Sequence, residues 1–207
     1  EPYRRQRQMC IRDRIQGYRF GVQFSSFYMP GDFVSHVRMM KTDYEDTGLA
    51  QLFGMPFVVL RKPVPFDTTA LNFNWQVWDT KAFSLYSRST EKIDKKGADM
   101  AIAAVCRFLS RMNVLNYNVY GGYESTVLIE EELVSLRSTA SGLYIPHVKS
   151  FDSVERGQVL ADIIDPLTGV TVAQTEAPED GIVFFAKDSP LVMENETLFK
   201  IVNKLHK

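Results

Sequence analysis

Residues 141–202 constrain the fold most, because they read as one complete small all-β module. Short apolar runs at 159–164, 169–173, 181–185 and 197–202 are separated by turn chemistry. The separators are Glu155-Arg156-Gly157, Asp165-Pro166-Leu167-Thr168-Gly169, Pro178-Glu179-Asp180-Gly181 and Lys187-Asp188-Ser189-Pro190. Strands this short and regular, with no helical period, predict a compact barrel or sandwich.

Within that module Val154, Gly157, Gln158 and Leu160 form V-x-x-G-Q-x-L; A-P-x-D-G-I-V follows at 177–183 and L-x-K-I at 198–201. The pattern resembles the biotinyl/lipoyl-like barrel. The resemblance implies that an acyl carrier would show a modifiable lysine at the tip of its central hairpin. That hairpin is Asp165-Pro166-Leu167-Thr168-Gly169 and contains no lysine, so the module is expected to be a structural appendage of an enzyme.

A chain of 207 residues has room for one large domain or a medium and a small one. Its 45% hydrophobic share is that of a soluble globular protein, and no run approaches the roughly 20 apolar residues of a membrane span. Cys10 and Cys106 lie far apart and suggest neither a disulfide framework nor zinc-finger spacing, so a reducing cytoplasm is expected. Residues 1–14 carry five arginines against Glu1 and Asp13 in a chain whose net charge is −1. A basic arm for nucleic acid is one reading. The segment RRQRQMCIRDR resembles translated sequencing-adapter read-through, and it is set aside on the expectation that the natural N-terminal part is missing. The rest of the chain is acidic and has no basic stripe, which argues against a nucleic-acid partner.

In chain order, 18–24 reads as a strand, 43–53 as a helix stopped by Gly54, and 57–60 as a strand buried on both faces. Residues 71–78 alternate and read as an aromatic-rich strand, and 82–86 as another. The clearest helix spans 93–112, with Ala98, Ala101, Ile102, Val105, Leu109 and Met112 at helical spacing. Burial of Ile102, Val105 and Leu109 is expected to contribute about 1.5–3 kcal/mol each. This order implies βαβ crossovers and a mainly parallel sheet. Residues 113–123 read as a linker and 126–136 as the start of the second domain, with Glu130, Glu131 and Glu132 on a solvated face. The expected division is therefore 1–14 as artefact, 15–122 as the α/β part and 123–207 as the β-barrel-like domain.

FGMPFVVLRKP at 53–63, NFNWQVWDTKAFSLY at 72–86 and TEKIDKKGADMAIAAVCRFLSRMNVL at 90–115, followed by the β module, resemble the succinylglutamate desuccinylase/aspartoacylase family. The resemblance covers about residues 17–204 and rests on order and architecture. It implies a carboxypeptidase-like α/β fold and a zinc-dependent deacylase acting on a small N-acyl amino acid. In that family His-x-x-Glu and a later histidine bind zinc, leaving a position open for water, and a strand-end glutamate is the base. This chain has no His-x-x-Glu, as expected of a sequence truncated at its N-terminus.

Carried over position by position, the resemblance places the later zinc ligand in Val22-Gln23-Phe24-Ser25-Ser26, where Gln23 offers a carbonyl and otherwise reads as a rim residue. The strand-end base falls near Tyr86, which either donates to an oxyanion or packs. Glu91 reaches back as the base or sits at a helix N-terminus. Arg38 resembles the family's substrate-carboxylate contact, against a surface ion pair, and His36 lies on its side of an extended segment as a second substrate contact or a metal ligand. A metal-free binding or structural relative of the same fold is the alternative function, and homo-oligomerisation is left open.

Overall fold

The computed structural model describes residues 17–26, 29–65, 67, 70–89, 92–118 and 121–203. It is a mixed α/β structure with few helices and several sheets, divided into two compact units. Residues 1–14 lie outside the described residues. No helix among the described residues is long and apolar enough to cross a membrane.

Strand β1 (Phe20–Ser25) is followed by β2 (Asp32–Phe33), β3 (His36–Met40), α1 (Thr47–Gln51), β4 (Phe57–Arg61), α2 (Leu71–Val77) and β5 (Lys81–Tyr86). Helix α3 (Lys95–Arg111) and β6 (Thr126–Ile129) come next. All of these strands except β2 form the sheet of the first unit, in the order β1-β5-β3-β4-β6. The β1/β5, β3/β4 and β4/β6 pairings are parallel, while β3 and β5 are antiparallel, with His36 opposite Tyr86 and Arg38 opposite Ser84. Strand β4 is buried along Phe57–Leu60, as a continuous apolar run requires.

Strand β6 is an edge strand of this sheet, so the second domain does not start at residue 123. The first unit continues to Glu131. The first half of the segment 126–136 pairs with β4, with Phe57 opposite Thr126.

Helix α1 is shorter than its apolar spacing predicts, and the Asp46 carboxylate caps it by accepting from the Leu49 N–H at 2.9 Å. Helix α2 replaces the strand expected at 71–78. The alternation there misleads because the polar residues face inward. Asn72 and Gln76, one helical turn apart, are buried and bond to Ser84 Oγ and the Met40 carbonyl. Trp75 lies so close over Gly21 that a Cβ there would come within 2.6 Å of its ring.

Helix α3 is where the apolar spacing places it, but its buried stripe is Gly97, Ala101, Ala104 and Phe108. Ile102, expected in the core, is 58% exposed, while Val105 and Leu109 are partly buried at its margin. Phe108 stacks on Phe53 at 4.3 Å between ring centroids and meets Phe20 edge-on at 5.5 Å. This aromatic cluster decides which face of the helix turns inward.

The second unit joins 132–207 with residues 26–34 and 87–97. It contains β7 (Val134–Arg137), β8 (Gly142–Pro146), β9 (Ser153–Val154), β10 (Val159–Ile164), β11 (Thr171–Glu176), β12 (Gly181–Ala186), β13 (Leu191–Val192) and β14 (Thr197–Asn203). One sheet runs β11-β10-β8-β13 and the other β2-β12-β14-β7, with β9 also on β12. Leu160 and Ile163 from the first sheet and Val183, Leu198, Phe199 and Ile201 from the second share one buried core. The expected turn at Gly157 is present, with a left-handed φ of 80°.

Candidate functional site

Strand pairing in the first unit brings four of the sequence-predicted residues onto neighbouring strands. His36 and Tyr86 are register partners at the β3/β5 junction, and their rings stack with centroids 5.0 Å apart and planes 2° from parallel. The Arg38 guanidinium lies 5.4 Å from the Tyr86 ring centroid, within cation–π range. Gln23, opposite Ser84 in the β1/β5 register, donates from Nε2 to Ser84 Oγ at 2.7 Å. Asn72 donates to the same oxygen at 2.9 Å, so Ser84 links β1, β5 and α2. Glu91 lies outside the described residues.

His36 is fully buried and Arg38 is 4% exposed, whereas Tyr86 is partly exposed. Arg38 forms an ion pair with Glu130, whose side chain is 14% exposed. Arg61 stands 4.0 Å from the same carboxylate and 3.6 Å from Asp67. The pair therefore differs from the surface ion pair weighed for Arg38: its guanidinium is buried, its carboxylate is partly buried, and it belongs to a chain of charges reaching from β3 past β4 to Asp67. Glu130 is likewise not on a solvated face, and Glu131 accepts from the Lys62 N–H at 3.0 Å.

Sequence reading missed Glu130, Ser84 and Asn72 as members of this cluster. The available signal for Glu130 was its place directly after the apolar run 126–129, where a carboxylate ending a buried strand needs a cation beside it. Ser84 and Asn72 carried no such signal, because a strand-interior serine and an asparagine in an alternating run are each ordinary.

Chemically, the cluster offers a phenol whose ring meets both an imidazole and a guanidinium. The guanidinium is committed to Glu130. Zinc does not fit here: among the described residues no group of three or more His, Cys, Asp or Glu side chains is placed to hold a metal ion. The cluster's carboxylate is engaged by Arg38. A divalent cation at His36 would also lie beside the positive charge of Arg38.

No protein-family model matches the sequence, and no curated protein sequence is similar enough to count as a relative. Solved structures do match. The succinylglutamate desuccinylase/aspartoacylase from Rhodobacter sphaeroides superposes with a TM-score of 0.72 at 14% identity, over 91% of this chain and 59% of that one. The apo structure of the ectoine utilization protein EutE (DoeB) from Ruegeria pomeroyi gives 0.75 at 14% identity, over 95% of this chain and 63% of that one. A succinylglutamate desuccinylase/aspartoacylase described from Shewanella frigidimarina gives 0.70 at 17% identity, over 88% of this chain and 53% of that one. The chain thus spans between 53% and 63% of the length of these structures. On that likeness, the chain has the fold of succinylglutamate desuccinylase/aspartoacylase family structures.

Proposed function

We propose that this chain is part of an amide hydrolase that removes the acyl group from an N-acyl amino acid or a related small substrate. The observation that supports the reading is the fold shared with the desuccinylase/aspartoacylase structures over most of the chain. In finer terms the first unit would be the C-terminal part of a carboxypeptidase-like domain and the second a biotinyl/lipoyl-like barrel.

Zinc is what the family resemblance implies, and the side chains described in this chain do not fit it. The reading therefore assigns them positioning work only. Tyr86 would donate a hydrogen bond to a substrate oxygen, with Arg38 over its ring favouring any negative charge that develops there. Arg38 would steer a substrate carboxylate through its field, since its fork is turned onto Glu130.

The specific observation favouring a metal-free binding or structural relative is this internal satisfaction: Arg38 is paired, and Tyr86 is stacked by His36. The test is elemental analysis and N-acyl amino acid hydrolysis with the protein encoded by the longest reading frame containing this sequence. About one zinc per chain and hydrolysis abolished by a chelator support the enzyme. A folded, zinc-free and inert protein makes the metal-free relative the better reading.

A further inference from the structure

The β11-β10-β8-β13 sheet of the second unit turns an apolar surface outward at one end. Side chains alternate across a strand, and Tyr144, Ile163 and Val192 point into the core, so their neighbours Leu143, Ile164 and Leu191 point out. The ladder sets these three side by side. Leu191 is opposite Leu143, Leu143 is opposite Ile164, and Ile164 is opposite Thr171, an uncharged row across all four strands. Leu191 is 61% exposed, and Met193, two residues on, is more exposed still. Leu143, Val170 and Val172 are each more than a third exposed. Val172 is the extra residue of a bulge, since Ile163 pairs with Ala173 but Ile164 with Thr171.

Beside this row stands a stiff protrusion. The turn joining β10 to β11 carries Leu167, 93% exposed, on a backbone held at several points. The Asp165 carboxylate accepts from the Leu167 N–H at 2.8 Å and from Thr168 Oγ1 at 2.9 Å, and the Asp165 carbonyl accepts from the Gly169 N–H at 2.9 Å. A side chain presented from a fixed turn loses little freedom on binding. On the other margin the next outward row, Ile145–Asp162–Gln174, turns polar. Asp162 accepts from Gln174 Nε2 at 2.8 Å and meets His147 Nε2 at 2.9 Å. An apolar centre with a satisfied polar margin is the anatomy of a protein–protein interface.

From these exposures the patch presents roughly 600 Å² of apolar side chain, the upper end of the largest patch on a typical monomer. Two such patches face to face cover on the order of 1,200 Å², where specific interfaces begin. We propose that this patch is the contact of a symmetric homodimer, a two-fold axis setting the Leu143–Leu191 row of one copy against that of a second copy of this chain. The row carries no charge, so a copy laid on itself meets no like-charge repulsion there, and a charged partner finds nothing in it to pair with. The contact does not depend on the deacylase reading.

The test is sedimentation velocity of the purified 207-residue chain at about 1 to 200 μM. A reversible monomer–dimer equilibrium is expected, weakened about tenfold or more by Leu191→Glu and by Leu167→Ser. Ile102→Glu, which places the same charge on an exposed residue of the first unit, is expected to leave it unchanged. Leu167 lies in an exposed turn, so Leu167→Ser leaves the fold intact and carries the test if Leu191→Glu unfolds. A chain that stays monomeric throughout gives the patch to another occupant and overturns the proposal. So does a dimer unchanged in Leu167→Ser or in a folded Leu191→Glu, and so do open-ended oligomers, which require a head-to-tail contact.

Discussion

Replacing Glu130 with alanine strands the Arg38 guanidinium, which is 4% exposed, without its counter-charge. Removing one partner of a buried ion pair costs about 3–5 kcal/mol, because the remaining charge keeps its desolvation penalty and loses its compensation. Arg61 stands 4.0 Å from the same carboxylate, so the variant also leaves two like charges facing a shared vacancy. Asp67, 3.6 Å from Arg61, offsets part of that repulsion. Both tryptophans, Trp75 and Trp78, lie at α2 in the first unit, so intrinsic fluorescence in urea reports that unit. With a slope of about 2 kcal/mol per molar, the midpoint is expected to fall by about 1.5–2.5 M. The companion variant Arg38→Met with Glu130→Leu removes both charges together and is expected to lie within about 1 kcal/mol of the parent, or above it. A loss below about 1 kcal/mol for Glu130→Ala, or a double variant no better than that single one, would refute the claim that this pair is a buried structural unit.

Three further outcomes are expected. Phe108→Ala should cost about 3–5 kcal/mol in the same urea assay, while Ile102→Ala, at a residue 58% exposed, should change stability by no more than about 0.5 kcal/mol; comparable losses would contradict the observed helix face. Gly21→Ala drives a methyl into the Trp75 ring and should destabilise by about 1–3 kcal/mol with altered tryptophan emission; an unchanged spectrum and midpoint would contradict that contact. The Glu196 carboxyl is held below its ordinary value, first by the hydrogen bond from Lys187 and then by the Met193 N–H. Its contribution is present above the unfolded carboxyl value and is lost as the pH falls through the folded one. Glu196→Gln should therefore flatten the acid limb of the second unit's stability profile, and a limb as steep as the parent's would remove the carboxylate from that role.

The turn-punctuated apolar runs of the C-terminal stretch were legible because turn residues and short strands are local signals, and each run falls on a strand or its edge. Strands β1, β4 and β5 were legible for the same reason. What failed depended on long-range contacts. Ile102 and Phe108 both suit an apolar stripe, and only the rings of Phe20, Phe53 and Phe83 decide that Phe108 faces inward. In α2 the inward residues are Asn72 and Gln76, which no rule of apolar burial selects. Gln23, Arg38 and Tyr86 were singled out through family resemblance and His36 by its spacing from Arg38, and the β1/β5 and β3/β5 pairings put all four on neighbouring strands. Glu130 came from a charge run that sequence treats as solvated. Its partner lies 92 residues earlier, so only folding reveals the pairing.

Strand β2 gives this chain an unusual order of assembly. Phe33 is added about 150 residues before its ladder partner Phe185. At ribosomal rates of about 5–20 residues per second, the short strand waits on the order of ten seconds or longer for β12 to exist. Until then Phe33, which ends fully buried, has no ladder partner to cover it.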